Sequence, residues 1–266
     1  REMAPMLEHL GPLLAERGLV GEPLATRRFH LFLQSESVFA ERVAQAGDWM
    51  GRDADPLMSV TAGGGLLSVQ LRATGTSAAS LARLEDRAAE FTDLFGDSIY
   101  STGEKRPAWV LGELLLERGL TISLAESCTG GGIAEAITRI PGSSAWFEAG
   151  YVTYSNRQKT QQLDVPEALF DQVGAVSREV VEVMARGAQS HSTALYSVAV
   201  SGVAGPDGGS AEKPVGTVWI CWGAAERLIA ERFQFAGDRD AVRRQTVEAA
   251  LEGLIQLARG EIPNRG

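Results

Sequence analysis

Three side chains that can attack a carbonyl carbon or donate a hydrogen bond are adjacent in the sequence: Ser127, Cys128 and Thr129. They lie in the stretch LAESCTGGG, between the apolar run TISLA and the segment IAEAITRI, whose apolar residues recur at helical spacing. This order predicts a strand, a turn and a glycine-led helix. The amides expected at the N-terminus of that helix are those of Thr129, Gly130 and Gly131.

Backbone amides at a helix N-terminus can bind a phosphate, a carboxylate or a developing oxyanion. Beside a serine or a cysteine at the end of a strand, they would suit acyl transfer. A structural interpretation is also open, in which Ser127 or Thr129 caps the helix and Cys128 fills space in the core. The glycine spacing matches neither GxGxxG nor GxxxxGK[ST], so it predicts neither a dinucleotide fingerprint nor a Walker loop.

A second group of reactive side chains lies in GYVTYSNRQK, residues 150–159. Ser155 or Asn156 can cap the helix that follows, which places Lys159 in its first turn. A cation there is disfavoured by up to about 1 kcal/mol, and burial would lower the pKa of the lysine. A neutral lysine is a competent general base, and the phenol of Tyr154 can relay or steady the proton. The alternative is an exposed lysine beside a half-buried tyrosine.

A third candidate is the glycine-rich loop SGVAGPDGGSAEKPVGTV, which connects two apolar strands. Backbone N–H groups in such loops form anion nests, and ligand crevices of open α/β sheets lie at the carboxyl ends of strands. A plain surface connection is the alternative. The residues predicted to approach an anion are Gly205, Pro206, Asp207, Gly208 and Gly209.

Two weaker patterns lie outside these stretches. Ser177, in GAVS, can cap a helix. Arg239 and Arg243 are four residues apart, so they would share a helix face and can bind a phosphate. Solvated arginines are the commoner outcome for such a pair.

The predicted elements divide the chain into three parts. Residues 1–25 contain a helical pattern, REMAPMLEHLGPLL, that we interpret as the remnant of a preceding domain and a linker. Residues 26–103 predict a small βαββα domain with a hairpin at a triglycine turn. Residues 104–266 predict a larger three-layer α/β/α domain, whose sheet is mixed because its last strands are too closely spaced for parallel crossovers.

The composition favours a protein that acts on small molecules. Hydrophobic residues make up 44% of the 266 residues, and the formal net charge of −9 argues against nucleic-acid binding through phosphate contacts. Three histidines and two cysteines show no zinc-ligand spacing, so we expect no metal. With no leader pattern and no apolar run near the roughly 20 residues that span a bilayer, we expect a cytoplasmic protein without a membrane partner.

The motifs AESCTGG, YSNRQK, GAVS and SGVAGPDGG…KPVGTV occur in this order, and together they resemble the C-terminal domain of the CinA competence/damage-inducible family. The resemblance runs from about Ala108 to the end, and the βαββα unit resembles the central, KH-like domain of full-length members. It implies a nicotinamide-nucleotide amidohydrolase, which deamidates nicotinamide mononucleotide in pyridine-nucleotide recycling. Full-length members carry a further N-terminal domain associated with ADP-ribose pyrophosphatase activity, which we do not expect of this chain.

The resemblance also implies a catalytic set of serine, tyrosine and lysine, which falls on Ser127, Tyr154 and Lys159. Hydrolysis by this set needs no metal or organic cofactor. Cys128 is the competing nucleophile. A homodimer and a recombination-protein partner are suggested by the family alone, and a non-catalytic nucleotide-binding or recombination-associated module is the alternative function. The residues expected to contact the pyridine nucleotide are Cys128, Thr129, Gly130, Gly131, Asn156, Ser177, Gly205, Pro206, Asp207, Gly208, Gly209 and Arg243.

Overall fold

The structure is a computed structural model that divides into two compact units. One unit is built mainly from residues 23–97 and the other mainly from residues 98–263. The helix predicted over residues 1–14 lies outside the described residues. Within the described ranges, no helix is long and apolar enough to cross a membrane. The described residues are 16–17, 23–32, 36–51, 53–63, 66–103 and 105–263.

A four-stranded sheet with the strand order β2-β3-β1-β4 organises the N-terminal part of the chain. Its elements are β1 (Leu24–Phe32), α1 (Glu36–Ala46), β2 (Leu57–Gly63), β3 (Leu66–Thr74), α2 (Ala78–Phe95) and β4 (Ile99–Thr102). The predicted βαββα order is present, with β2 beside β3. Strand β4 was not predicted, because four residues are too few to establish the two-residue period of a strand.

Aromatic side chains form the centre of the first unit. The ring centroid of Phe91 lies 4.8 Å from that of Phe29 and 4.9 Å from that of Phe95. Phe39 and Trp49 complete this buried cluster. Tilted ring pairs at such separations are favourable beyond the area that they bury, so this unit has a hydrophobic core of its own.

The second unit contains a five-stranded sheet with the strand order β6-β5-β7-β8-β9. Its strands are β5 (Ile122–Glu126), β6 (Phe147–Val152), β7 (Tyr196–Gly202), β8 (Thr217–Ala224) and β9 (Arg227–Gln234). Strand β5 is parallel to both β6 and β7, whereas β8 is antiparallel to both β7 and β9. The prediction of a mixed sheet is therefore confirmed.

Helices cover both faces of this sheet, as the three-layer prediction requires. Leu124 packs in one core with side chains of α3, α4 and α8, and its neighbour Ala125 packs in a second core with side chains of α5, α6 and α7. Successive strand residues point to opposite faces, so β5 contributes to both cores. The helices are α3 (Pro107–Arg118), α4 (Gly132–Thr138), α5 (Asn156–Leu163), α6 (Glu167–Val173), α7 (Arg178–Ser190) and α8 (Arg239–Arg259).

The three candidate stretches follow the carboxyl ends of three parallel strands. The turn with Ser127 follows β5, the segment with Tyr154 follows β6, and the glycine-rich loop follows β7. Parallel strands end at the same edge of a sheet, which brings these stretches together. Helix α5 then begins after Ser155, whose side chain accepts a hydrogen bond from the Gln158 amide, so Lys159 lies in its first turn.

Gly187 allows α7 to approach the end of α5, the helix that carries Lys159. A Cβ atom at this glycine would lie 2.4 Å from the Leu163 carbonyl oxygen and 2.8 Å from the Leu163 Cα. We predict that Gly187→Ala lowers the free energy of unfolding by about 1–3 kcal/mol, because the Leu163 backbone can make room for the new methyl group only if its helix shifts. Urea unfolding measures this. Arg186→Ala, an exposed neighbour on α7, is expected to change it by less than about 0.5 kcal/mol, and an equal effect would contradict the prediction.

Candidate active site

Ser127 and Lys159 meet at the carboxyl edge of the second sheet. Both are buried, with exposed fractions of 8% for Ser127 and 1% for Lys159. The lysine Nζ lies 2.9 Å from the Ser127 Oγ, within hydrogen-bonding distance, although 32 positions separate the two residues in the sequence. The Nζ also lies 2.8 Å from the carbonyl oxygen of Thr153 and 3.3 Å from that of Tyr154.

Burial disfavours the charged form of the Lys159 amine. It lowers the pKa of this lysine from 10.5 to about 8, and the nearby Cys128 opposes the shift. A neutral amine has two N–H groups and one lone pair. If the carbonyl oxygens of Thr153 and Tyr154 accept the two N–H groups, the lone pair is left for the Ser127 hydroxyl proton. The pair can therefore transfer a proton from an attacking serine to a lysine.

Tyr154 contributes its backbone and its side chain to different neighbours. Its carbonyl oxygen faces Lys159, while its side chain is 60% exposed. The phenol oxygen accepts a hydrogen bond from Arg239 Nη2 at 2.9 Å. The exposed phenol therefore hydrogen-bonds with an arginine rather than with the amine of Lys159.

The predicted amide donors are partly engaged within the protein. The Gly130 amide donates to the Ser127 carbonyl oxygen at 3.1 Å, and the Gly131 amide donates to Oε2 of Glu126 at 3.0 Å. The Thr129 amide, the third that the sequence indicated, interacts with the neighbouring Cys128 thiol. Glu126 is the functional candidate that the sequence analysis missed, and its position directly before Ser127, at the end of an apolar strand, was the available signal.

Cys128 lies next to Ser127 but is poorly suited to act as a nucleophile. The cysteine is 5% exposed, and burial raises the pKa of its thiol to about 12. The thiolate is the reactive form of cysteine, so a raised pKa leaves little of it at neutral pH. This environment favours the serine of the two adjacent candidates.

Two arginines of α8 hold the glycine-rich loop and the serine turn. Arg239 Nη1 donates to the Gly205 carbonyl oxygen at 2.7 Å, and Arg243 Nη2 donates to the Thr129 carbonyl oxygen at 2.8 Å. Gly205 is buried, whereas the loop residues after it are exposed. Arg239 therefore links the loop to Tyr154, and the exposed tip of the loop is open to solvent. The exposed residues of this tip are Pro206, Asp207, Gly208 and Gly209.

Asn156 and Ser177, both expected at the nucleotide, differ in their surroundings. Asn156 is the exposed first residue of α5. Ser177 is buried and forms the N-cap of α7, where its hydroxyl donates to the Gly174 carbonyl oxygen at 2.9 Å and accepts from the Val180 amide at 3.4 Å. The contacts of Ser177 in the structure are thus those of a helix cap.

A cavity of about 280 Å³ lies between α4 and α8, next to Thr129 of the serine turn. Thr129, Gly132 and Arg243 line it together with further polar side chains. The charged residues of the lining are two arginines and three acids, which gives a balance that does not favour a doubly charged phosphate. These residues are Arg243, Arg244, Glu135, Asp240 and Glu248.

A strand-end serine beside a buried lysine, on a three-layer α/β/α domain, is an arrangement suited to hydrolysis of acyl bonds. The sequence model described as the CinA C-terminal domain matches residues 105–258. The chain therefore belongs to the CinA family, and the resemblance noted in the sequence is confirmed.

Both a shorter and a longer relative support the assignment to the CinA family. The nicotinamide-nucleotide amidohydrolase PncC of Pseudomonas putida is 72% identical over 147 residues, which are 55% of this chain and 92% of that protein. A CinA-like protein of Geobacter sulfurreducens is 39% identical over 263 residues, which cover 95% of this chain. The chain spans only 61% of the length of that longer relative.

A solved structure of a relative has the same fold over 57% of this chain. The crystal structure of the competence/damage inducible protein CihA from Agrobacterium tumefaciens aligns with a TM-score of 0.54 at 42% sequence identity. The alignment covers 57% of this chain and 96% of that chain. PncC and CihA each match little more than half of this chain, over nearly their own full length.

The lowered pKa of Lys159 makes the stability of the protein depend on pH. Between about pH 8 and 10.5 the unfolded lysine binds a proton that the folded lysine has lost, so the free energy of unfolding rises with pH across this window. We predict that the free energy of unfolding of the unmodified protein, minus that of Lys159→Met, increases by on the order of 3 kcal/mol over this window. Below the window this difference should not change with pH. Urea unfolding at several pH values measures this difference. Lys105→Met controls for loss of a surface charge, and a flat difference for Lys159→Met would contradict the prediction.

Proposed function

We propose that this chain hydrolyses the carboxamide of nicotinamide mononucleotide to give nicotinate mononucleotide and ammonia. The observation that carries the proposal is the 2.9 Å approach of a buried lysine amine to a serine hydroxyl at the end of β5. Two relatives named nicotinamide-nucleotide amidohydrolase support it: that of Pseudomonas putida, at 72% identity, and that of Escherichia coli, at 55% identity over 147 residues.

In the proposed first step, the Ser127 Oγ attacks the carboxamide carbon while its proton passes to the neutral Lys159 amine. The carbonyl oxygen becomes an oxyanion, and the Thr129 amide is the candidate donor to it. The protonated Lys159 then gives its proton to the departing nitrogen. The C–N bond breaks, ammonia leaves, and the nicotinoyl group is bound to Ser127 as an ester.

In the second step a water molecule attacks the ester carbon. Lys159, neutral again, takes one proton of this water and transfers it to the Ser127 Oγ as the C–O bond breaks. The product is nicotinate mononucleotide, whose carboxylic acid group releases the second proton of the water to the solvent and becomes a carboxylate. No residue besides the serine and the lysine has to change protonation state, and the Tyr154 phenol, hydrogen-bonded by Arg239, would border the substrate.

The nucleotide phosphate is assigned to the exposed tip of the glycine-rich loop. Loop backbones of this type offer N–H groups to anions. Arg239 lies at the base of the loop, where its guanidinium is bonded to the Gly205 carbonyl oxygen. The alternative site, the cavity between α4 and α8, is lined by more acids than arginines. This balance supports the loop rather than the cavity as the phosphate site.

Removal of either member of the pair should abolish turnover while binding persists. We predict that Ser127→Ala and Lys159→Met each lower kcat by orders of magnitude, with little change in affinity for nicotinamide mononucleotide. Ammonia release and calorimetric binding measure the two quantities. Cys128→Ala should retain most activity, and its near-complete loss would overturn the serine assignment. Binding by the unmodified protein without turnover would favour the alternative of a nucleotide-binding module.

The rate should also depend on pH in the direction set by the lysine. Because the neutral amine is the proposed base, we predict that kcat/KM rises with pH and levels off above about 8, the lowered pKa of Lys159. Initial rates between pH 6 and 9.5, with stability checked at each pH, measure the profile. A rate that is flat across pH 8 would remove Lys159 from the role of base.

A further inference from the structure

Glu126, the last residue of β5, is a buried carboxylate that the proposed reaction does not use. Its side chain is 0% exposed. Its Oε2 accepts hydrogen bonds from the Thr129 hydroxyl at 2.6 Å and from the amides of Gly131 and Ile133 at 3.0 Å each. Its Oε1 accepts from the Ala134 amide at 2.8 Å. None of these four partners is a cation, so the charge is stabilised by neutral donors at the start of a helix.

Helix α4 begins without a capping side chain of its own. Its N-cap residue is Gly131, which has a φ of 95° and no side chain to accept a hydrogen bond. Without another acceptor, the buried and part-buried amides of the first turn would be left unpaired, which is unfavourable. Glu126 accepts from the three amides of Gly131, Ile133 and Ala134. The start of α4 is therefore fixed to the end of β5 through one carboxylate.

The backbone of Glu126 is connected to the other half of the site. Its carbonyl oxygen accepts a hydrogen bond from the Thr153 amide at 2.8 Å. The Thr153 carbonyl oxygen in turn lies 2.8 Å from the Lys159 Nζ. The Ser127 amide donates to the Val200 carbonyl oxygen at 3.1 Å, on the opposite side of β5. The serine thus follows a residue whose side chain fixes α4 and whose backbone fixes the segment that faces the lysine.

We propose that Glu126 is a positioning residue, which holds the turn from Ser127 to Gly131 against α4 and thereby sets the separation of the Ser127 Oγ and the Lys159 Nζ. The inference rests on the proposed role of Ser127 as the nucleophile. It assigns no proton transfer to Glu126, whose carboxylate partners are backbone amides and the Thr129 hydroxyl. A displacement of about 1 Å in a reacting group can cost on the order of 100-fold in rate, so the position of the turn matters.

The test replaces the carboxylate by an amide of the same shape, Glu126→Gln. One acceptor oxygen becomes an NH2 group that faces a donor, so the turn loses at least one hydrogen bond. Two rates are measured on the full chain: kcat for ammonia release from nicotinamide mononucleotide, and the rate at which an aryl sulfonyl fluoride labels Ser127. In the labelling reaction the serine oxygen forms an O–S bond, the S–F bond breaks, and fluoride and a proton are released. Peptide mass spectrometry locates the label.

We expect Glu126→Gln to lower both rates by about 10–100-fold, with KM little changed. A loss of stability alone would not produce this split between kcat and KM at a temperature where circular dichroism shows the variant to be folded. The matched control is Glu167→Gln, which changes an exposed acid in the first turn of α6 and should leave both rates unchanged. A folded Glu126→Gln variant with both rates within about twofold of the unmodified protein would overturn the proposal.

If Glu126→Gln does not fold, Thr129→Val decides the question, because it removes one donor to the carboxylate and keeps the shape of the side chain. A smaller fall in both rates is expected, and unchanged rates would again overturn the proposal. The two measurements separate this inference from the proposed function. If Ser127 of the unmodified protein is labelled but no ammonia is released, the proposed function fails, and the labelling rates of protein and variant alone decide the role of Glu126. If ammonia is released but no label forms, the kcat values of protein and variant decide it.

Discussion

The arrangement of the site depends on the burial of the Lys159 amine away from water. A buried ammonium group costs several kcal/mol unless it is paired, and the hydrogen-bonding neighbours of this lysine are a hydroxyl and two carbonyl oxygens. The neutral amine fits these neighbours, with two N–H groups for the carbonyls and a lone pair for the hydroxyl. The lysine lies in the first turn of α5, where the helix dipole also disfavours a cation. Burial and helix position therefore act in the same direction on its pKa.

The sheet supplies the rigidity that such a pair needs. Strand β5 has parallel neighbours on both sides, and every residue of it is buried. The serine directly after this strand is therefore placed by a backbone that is hydrogen-bonded to a strand on each side. Helix α8 adds a second support, because its first two turns reach both the glycine-rich loop and the serine turn through Arg239 and Arg243. Two glycine-containing loops are thus held to a regular helix by hydrogen bonds from arginine side chains to their backbone carbonyl oxygens.

The sequence predicted those parts of the site that have a local pattern. Ser127 follows an apolar strand, and Lys159 follows a capping serine, so their places at a strand end and in a first helical turn could be inferred. Their contact could not, because it spans 32 positions and depends on how β5 and β6 pair. The strand β4 was missed because it is short. These differences arise from tertiary pairing and length rather than from residue propensity.

The hydrogen-bond partners of two polar side chains of the site, Glu126 and Tyr154, could not be predicted from the sequence. In the sequence, Glu126 is a polar residue at the end of an apolar strand, and the signals for its use were its position directly before Ser127 and the lack of a capping side chain on the glycine-led helix. Tyr154 was expected beside the base, yet its phenol bonds with Arg239, 85 positions further along the chain. A local pattern can indicate that a polar group needs a partner, but the fold decides which one it receives.

One low-dielectric environment accounts for the difference between the two adjacent candidate nucleophiles. Burial lowers the pKa of Lys159 and raises the pKa of Cys128, since in both cases it favours the uncharged form. A thiol in this setting loses the thiolate that makes cysteine reactive, and an uncharged lysine gains the lone pair that makes it a base. A serine does not need to be ionised beforehand, because its proton can move to the lysine as the new bond forms. The same burial that disfavours Cys128 therefore suits the pair formed by Ser127 and Lys159.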